Sequence, residues 1–199
     1  MKKLICLTLA VLMLGLMFTA CGKKDENLEK VDLTEEETNI VVIQVAEFGT
    51  IVVELYPDVA PITVANFKKL VAEDFYDGLT FHRVIEGFMI QGGCPLGNGT
   101  GDSGETIKGE FSANGVQNDL LHTRGVISMA RGSYSMDSAS CQFFIMHQDK
   151  PHLDGDYAAF GKVLYGMEVV DAIAAVNTNS SDKPLNRVVM TSVDFGILK

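Results

Sequence analysis

Phe81-His82-Arg83-Val84-Ile85-Glu86-Gly87-Phe88-Met89-Ile90-Gln91-Gly92-Gly93 is the stretch on which the reading of this chain turns. It alternates apolar and polar residues, becomes almost wholly apolar, and stops at two glycines. Two short strands are expected, Thr80 to Val84 and Met89 to Gly92, bracketing Glu86-Gly87. One arginine and one glutamine sit among Phe, Met and Ile. Arginine keeps its charge, and a guanidinium among apolar side chains costs free energy unless something offsets it. Two compensations are open: a buried partner acid, or a donor fork held ready for a substrate.

Outward from this stretch the pattern is mostly β. Ile40-Val41-Val42-Ile43-Gln44-Val45 and Ile51-Val52-Val53-Glu54-Leu55 read as a hairpin about the Glu47-Phe48-Gly49-Thr50 turn. Pro61 suits the first turn of a helix. Val64, Phe67, Leu70 and Val71 then form an apolar stripe, with Phe75-Tyr76-Asp77-Gly78 as its end. Val126 to Ala130, Gln142 to Met146, Ala158 to Lys162 and Val188 to Phe195 are further strands. Met167 to Ala174 is a second helix, with Met167, Val170, Ile173 and Ala174 on one face. Many short strands and two helices argue an all-β barrel or sandwich, between which periodicity does not choose.

Four segments together resemble the cyclophilin-type peptidyl-prolyl isomerases. The opening stretch is similar to FHR…GFMxQGG. Gly125-Val126-Ile127-Ser128-Met129-Ala130 is similar to GxxSMA, and Ser140-Cys141-Gln142-Phe143-Phe144-Ile145 to SxQFFI. Leu153-Asp154-Gly155 with Phe160-Gly161-Lys162-Val163 is similar to LDGxxxxFGxV. In family order they cover nearly everything from about residue 40 onward. The resemblance implies a closed eight-stranded antiparallel barrel capped by two α-helices, with the active site in an edge groove. It implies no cofactor and no metal, and a monomer is expected.

The resemblance also assigns residues. Arg83 matches the catalytic arginine and Gln91 the glutamine that holds it and reaches the substrate backbone. Phe88, Met89, Phe144 and Leu153 match the lining of the proline slot. Gln142, Ala130 and the backbone of Arg131 match the neighbouring subsite, which grips the residue before proline. Three positions depart from the best-known members: His152 stands where a Trp often contacts cyclosporin, Arg131 where Asn is common, and Tyr157 where a His is common. A histidine offers less aromatic area than a tryptophan, so only weak cyclosporin binding is expected.

The N-terminus reads as an address. Lys2 and Lys3 precede an apolar run from Leu4 to Phe18, shorter than the about 20 residues of a membrane span and suited to the core of a secretory signal. Thr19-Ala20-Cys21 resembles the lipobox of bacterial lipoproteins, with Phe18 where Leu is usual. Residues 1–20 are expected to be removed and Cys21 to carry the lipid; two acyl chains suffice for stable anchoring. Plain secretion is the alternative. Residues 21–38 hold seven acidic and three lysine residues with few apolar ones, the composition of a solvated tether. Residues 39–199 form the isomerase domain. An exported, membrane-attached protein is expected to act on proline-containing unfolded or exported polypeptides.

Composition excludes more than it assigns. The formal charge of −10 gives a nucleic-acid role no electrostatic support. Gly99-Thr100-Gly101-Asp102-Ser103-Gly104 has the spacing GxGxxG, but no helical pattern follows, as a dinucleotide loop requires. Gly97-Asn98-Gly99-Thr100-Gly101 is similar instead to the glycine-rich loop at the rim of the cyclophilin groove. His82, His122, His147 and His152 lack metal-ligand spacing and read as structural or surface residues. Cys94 and Cys141 read as free thiols, with a disulfide as the alternative in an exported protein. The rival function is a non-catalytic proline-peptide-binding chaperone of the cell envelope. A transporter's substrate-binding lipoprotein is disfavoured, because two α/β lobes are lacking.

Overall fold

A computed structural model describes residues 38–196. The signal, Cys21 and the tether lie outside the described residues, save Thr38. Eight strands form one sheet: β1 (Ile40–Val45), β2 (Gly49–Leu55), β3 (Arg83–Ile85), β4 (Met89–Gly92), β5 (Val126–Met129), β6 (Phe143–Met146), β7 (Ala159–Tyr165) and β8 (Met190–Gly196). Their order is β3-β4-β6-β5-β7-β2-β1-β8, and every pairing is antiparallel. Helices α1 (Pro61–Ala72) and α2 (Met167–Ala174) pack against it. The fold is mainly β with two helices, as expected.

The expected closure is not complete. β3 and β8 end the sheet without pairing with each other, so it is a curled half-barrel. Its ends are tied by the segment before β3. Thr80 makes one isolated bridge to Val189. Gly78 N–H donates to the Met190 carbonyl (2.8 Å), Phe81 N–H to Val188 (3.0 Å) and Met190 N–H to Leu79 (2.8 Å). The expected strand Thr80 to Val84 shrinks to Arg83–Ile85 because its free edge is engaged elsewhere. Val84 N–H donates to the Asp182 carbonyl, 2.8 Å away.

Alternation along the strands sorts side chains into two apolar clusters. Inward lie Ile90, Ile127, Phe143, Ile145 and Phe160, with Phe67, Tyr76 and Phe81. Their rings meet at centroid distances of 5.0–6.1 Å. Outward lie Met89, Val126, Phe144, Met146 and Ala159, joined by Leu153. The stripe of α1 buries Val64, Phe67, Leu70 and Val71 as its spacing requires. On α2 the buried face is Val169, Val170, Ile173 and Ala174; Met167 is only partly covered.

Helix α1 begins after Ala60, which has no side chain able to cap it. A distant carboxylate does so instead. Glu110, 2% exposed, accepts the N–H groups of Ile62 (3.0 Å) and Thr63 (2.7 Å). Two donors with no partner within the helix meet a charge of the sign favoured at that end. Replacing Glu110 by Ala leaves both amides unpaired, that of Thr63 in a buried place. The expected loss is about 2–3 kcal/mol, seen as a fall in Tm of roughly 4–12 °C for a domain this size. An unchanged Tm would remove Glu110 from the account of the helix.

Candidate active site

β4 runs between β3 and β6, and its register builds the site. Gln91 stands opposite Arg83 on one side and Phe144 on the other. Phe144 in turn stands opposite Ser128 on β5. Directly opposed residues share a face, so Arg83, Gln91, Phe144 and Ser128 form one row across four strands on the outer face. Two positions along β4, Met89 opposes Met146 and Ile85 and adds to the apolar patch. The pleat thus sets a guanidinium and a carboxamide beside an apolar slot.

Arg83 is less enclosed than its apolar neighbours in sequence suggest. Its side chain is 42% exposed, and Nε lies 3.4 Å from Asp182 Oδ2. Both compensations therefore hold in part, since the guanidinium has an acid beside it yet still faces solvent. No pattern in the sequence marks Asp182 as its partner. It sits in a turn at φ 60°, built by Asn179, whose Oδ1 accepts the N–H groups of Ser181 (2.9 Å) and Lys183 (3.1 Å).

Gln91 does not hold Arg83 here. Its Nε2 donates to Gln142 Oε1 (3.0 Å). Gln142 Nε2 donates onward to the carbonyls of Gly99 (2.9 Å) and Gly101 (2.8 Å). The two carboxamides thereby lash the glycine-rich loop to the groove. Among the described residues no helix follows Gly104 that could serve a nucleotide loop; the next is the three-residue turn Ser112–Asn114. The loop is also gathered by Cys94, whose Sγ accepts from the N–H groups of Gly99 and Gly101, each 3.3 Å away. Burial pushes the Cys94 thiol up, but the amides of Asn98, Gly101, Gly99 and Leu96 outweigh it and leave its pKa lowered. Burial pushes Cys141 up to about 11. Both cysteines are free and buried.

The apolar slot is walled by Met89, Phe144 and Leu153, buried, and by Phe88, Ala130 and Tyr157, partly buried. His152 is exposed, its ring 6.2 Å from that of Phe88, and Lys150 Nζ lies 6.0 Å from the same ring. Arg131 lies over Tyr157 and Phe111, at 4.9 and 5.3 Å. Beyond Gln91 and Ala130 the slot continues into a cavity of about 250 Å³, bounded also by Gly101, Arg131, Tyr134 and Gln142. The structure therefore brings all eleven expected groove residues to one face.

What holds Phe144 was not legible. His122 stacks on it at 6.0 Å and 20°, and Tyr157 meets it edge-on at 5.8 Å and 82°. His122 is 2% exposed. Its Nδ1 lies 3.0 Å from Asp154 Oδ1 and its Nε2 3.0 Å from Ser128 Oγ. Asp154 Oδ1 also accepts the His122 N–H at 2.7 Å. Burial lowers the pKa of His122, although Asp154 opposes the shift. The ring is neutral near pH 7, and the carboxylate assigns its proton to Nδ1. In the sequence Asp154 and Ser128 stand out only as letters of motifs.

The family described as "Cyclophilin type peptidyl-prolyl cis-trans isomerase/CLD" matches residues 40–195. This chain belongs to the cyclophilin-type peptidyl-prolyl cis-trans isomerases. It is 55% identical over 115 residues to peptidyl-prolyl cis-trans isomerase B of Bacillus subtilis, covering 58% of this chain and 76% of that one. It is 43% identical over 152 residues to a peptidyl-prolyl cis-trans isomerase of Helicobacter pylori, covering 75% and 85%. A Cryptosporidium parvum cyclophilin, solved in the presence of the dipeptide Ala-Pro, superposes with a TM-score of 0.72 at 31% identity, covering 78% of this chain and 98% of that one.

The buried histidines of this cyclophilin make its stability pH-dependent. His82 and His122 both have lowered pKa values, chiefly from burial. The unfolded chain, with histidines near 6.5, therefore takes up protons before the folded one. Stability is full above that value and falls as pH drops through it, by up to about 1.4 kcal/mol per pH unit for each extra proton. The urea midpoint of residues 39–199 is expected to be lower at pH 5 than at pH 7.5, and His122→Asn to flatten the slope. A midpoint rising toward pH 5 would contradict this.

Proposed function

We propose that this cyclophilin catalyses X-Pro rotation through Arg83, acting on proline-containing unfolded or newly exported chains outside the cytoplasmic membrane. The barrier is the amide's resonance, about 18–20 kcal/mol. Rotation needs no nucleophile. As the bond twists, the prolyl nitrogen becomes pyramidal and gains a lone pair. A donor aimed at it is bonded far better in the transition state than in the planar ground state, which is the condition for catalysis. The observation that carries this reading is the row in which Arg83 and Phe144 flank Gln91. The proline ring enters the slot of Phe88, Met89, Phe144 and Leu153, and the nitrogen comes to lie toward the guanidinium. Gln91 and Gln142, tied to each other and to the loop, offer the substrate backbone a fixed amide edge.

The cellular setting rests on the sequence. Removal of residues 1–20 leaves 14 basic and 26 acidic residues, a charge of −12. Such a domain gains nothing from an anionic bilayer, so a lipid on Cys21 does the anchoring and residues 21–38 give reach. A binding-only chaperone would need the apolar slot but not the arginine.

Residues 39–199 are expected to accelerate isomerisation of an Ala-Pro peptide, and Arg83→Ala to lose about a hundredfold in kcat/KM, equivalent to roughly 3 kcal/mol. An inactive wild type that still binds the peptide would favour the chaperone. Cyclosporin is expected to bind weakly, and His152→Trp to tighten it by restoring aromatic area beside Phe88. Low-nanomolar inhibition of the wild type would overturn that expectation.

A further inference from the structure

The subsite next to the proline slot contains a cation without an acid. Among the described residues, Arg83 pairs with Asp182, Arg124 with Asp171 and Lys69 with Glu105. Arg131 pairs with no carboxylate among the described residues, in a protein with 26 acidic and 16 basic residues. Its Nε donates to the Asp156 carbonyl (3.0 Å) and its Nη1 to the Gly132 carbonyl (3.4 Å). The rings of Tyr157 and Phe111 stack against it. Phe111 is buried, and Tyr157 abuts Phe144. The guanidinium is therefore held one ring away from the proline slot.

The rings flank the guanidinium, and the two carbonyls take Nε–H and one N–H of Nη1, on different edges of the fork. Nη2 has no acceptor among the described residues, and Arg131 borders the cavity shared with Gln91, Ala130 and Gln142. A planar, pre-positioned guanidinium with Nη2 still free can donate charge-assisted hydrogen bonds to a carboxylate. Asp102 also borders the cavity, but it is exposed and its Oδ1 accepts the Gly104 N–H at 2.8 Å. We infer that Arg131 makes this cyclophilin selective for an acidic side chain one or two positions before the proline. The inference rests on the prolyl-isomerase reading of the groove.

Two electrostatic effects compete. The overall charge of −10 repels acidic peptides and favours lysine. That field is long-range and fades beyond about 8 Å at physiological salt. The bond to Arg131 is short-range and charge-assisted, and screening weakens it far less. At 0.15 M salt the local interaction wins.

The test compares kcat/KM at that salt for peptides differing only one residue before proline (Ala, Gln, Glu or Lys), and a second series varied two residues before. The wild type is expected to prefer Glu over its neutral isostere Gln by about three- to tenfold in one series, with Lys lowest. In Arg131→Gln that ratio falls to about one, and Arg131→Lys keeps part of it. A wild-type ratio at or below one in both series overturns the inference, as does a ratio that Arg131→Gln leaves unchanged. Failure to turn over the Ala peptide would instead sink the isomerase reading. The same Glu-to-Gln ratio, read as Kd, then decides the role of Arg131 separately.

Discussion

The register of β4 between β3 and β6 is the constraint on which the groove depends. Side chains alternate across a sheet, so a slip of one residue would exchange Met89 and Gln91 with Ile90 and Gly92. The slot and its amide would then be buried in the barrel, and Ile90 would face water. The inner cluster resists such a slip. Ile90 and Ile145 oppose each other and are fully buried, as is Phe143. The same packing that stabilises the barrel thus sets Arg83, Gln91 and Phe144 in one row. The geometry of the groove is a by-product of core packing, which is why strands as short as β3 and β4 can carry it.

Around that row, polar groups do what the core cannot. Phe144 is an outer-face residue, and His122 stacked on it with Tyr157 at its edge sets its orientation. His122 is kept neutral by burial and oriented by Asp154 and Ser128. On the other flank Gln142 and Cys94 hold the glycine-rich loop through its carbonyls and amides. Glu110 caps α1 from a loop far away in sequence. Each of these bonds is made by a residue with no periodic signature, and those of Gln142, Asp154 and Glu110 span more than 30 residues.

That distinction explains what could be read beforehand. Strands with β-branched runs, such as Ile40–Val45, and a helix with a stripe, such as Pro61–Ala72, were legible because burial imposes a period. The groove residues were legible because a resemblance named them; spacing alone would have left Phe88 or Met89 as core. The partial closure of the barrel was not visible, because it rests on single bonds such as Phe81 to Val188. Asp182 as the partner of Arg83, and Gln142 rather than Arg83 as the partner of Gln91, were hidden for the same reason. The pairing is decided by where the 179–183 turn and the 97–101 loop come to rest, and no local pattern encodes that.

The central claim is that Arg83 acts on the twisted bond and not on the resting peptide. Exchange NMR of a saturating Ala-Pro peptide reports interconversion of the bound cis and trans forms directly. For Arg83→Lys, which keeps the charge and loses the fork, the bound-state exchange rate is expected to fall at least about tenfold. The Kd is expected to stay within about threefold of wild type. An unchanged exchange rate, or a loss carried entirely by Kd, would contradict the account.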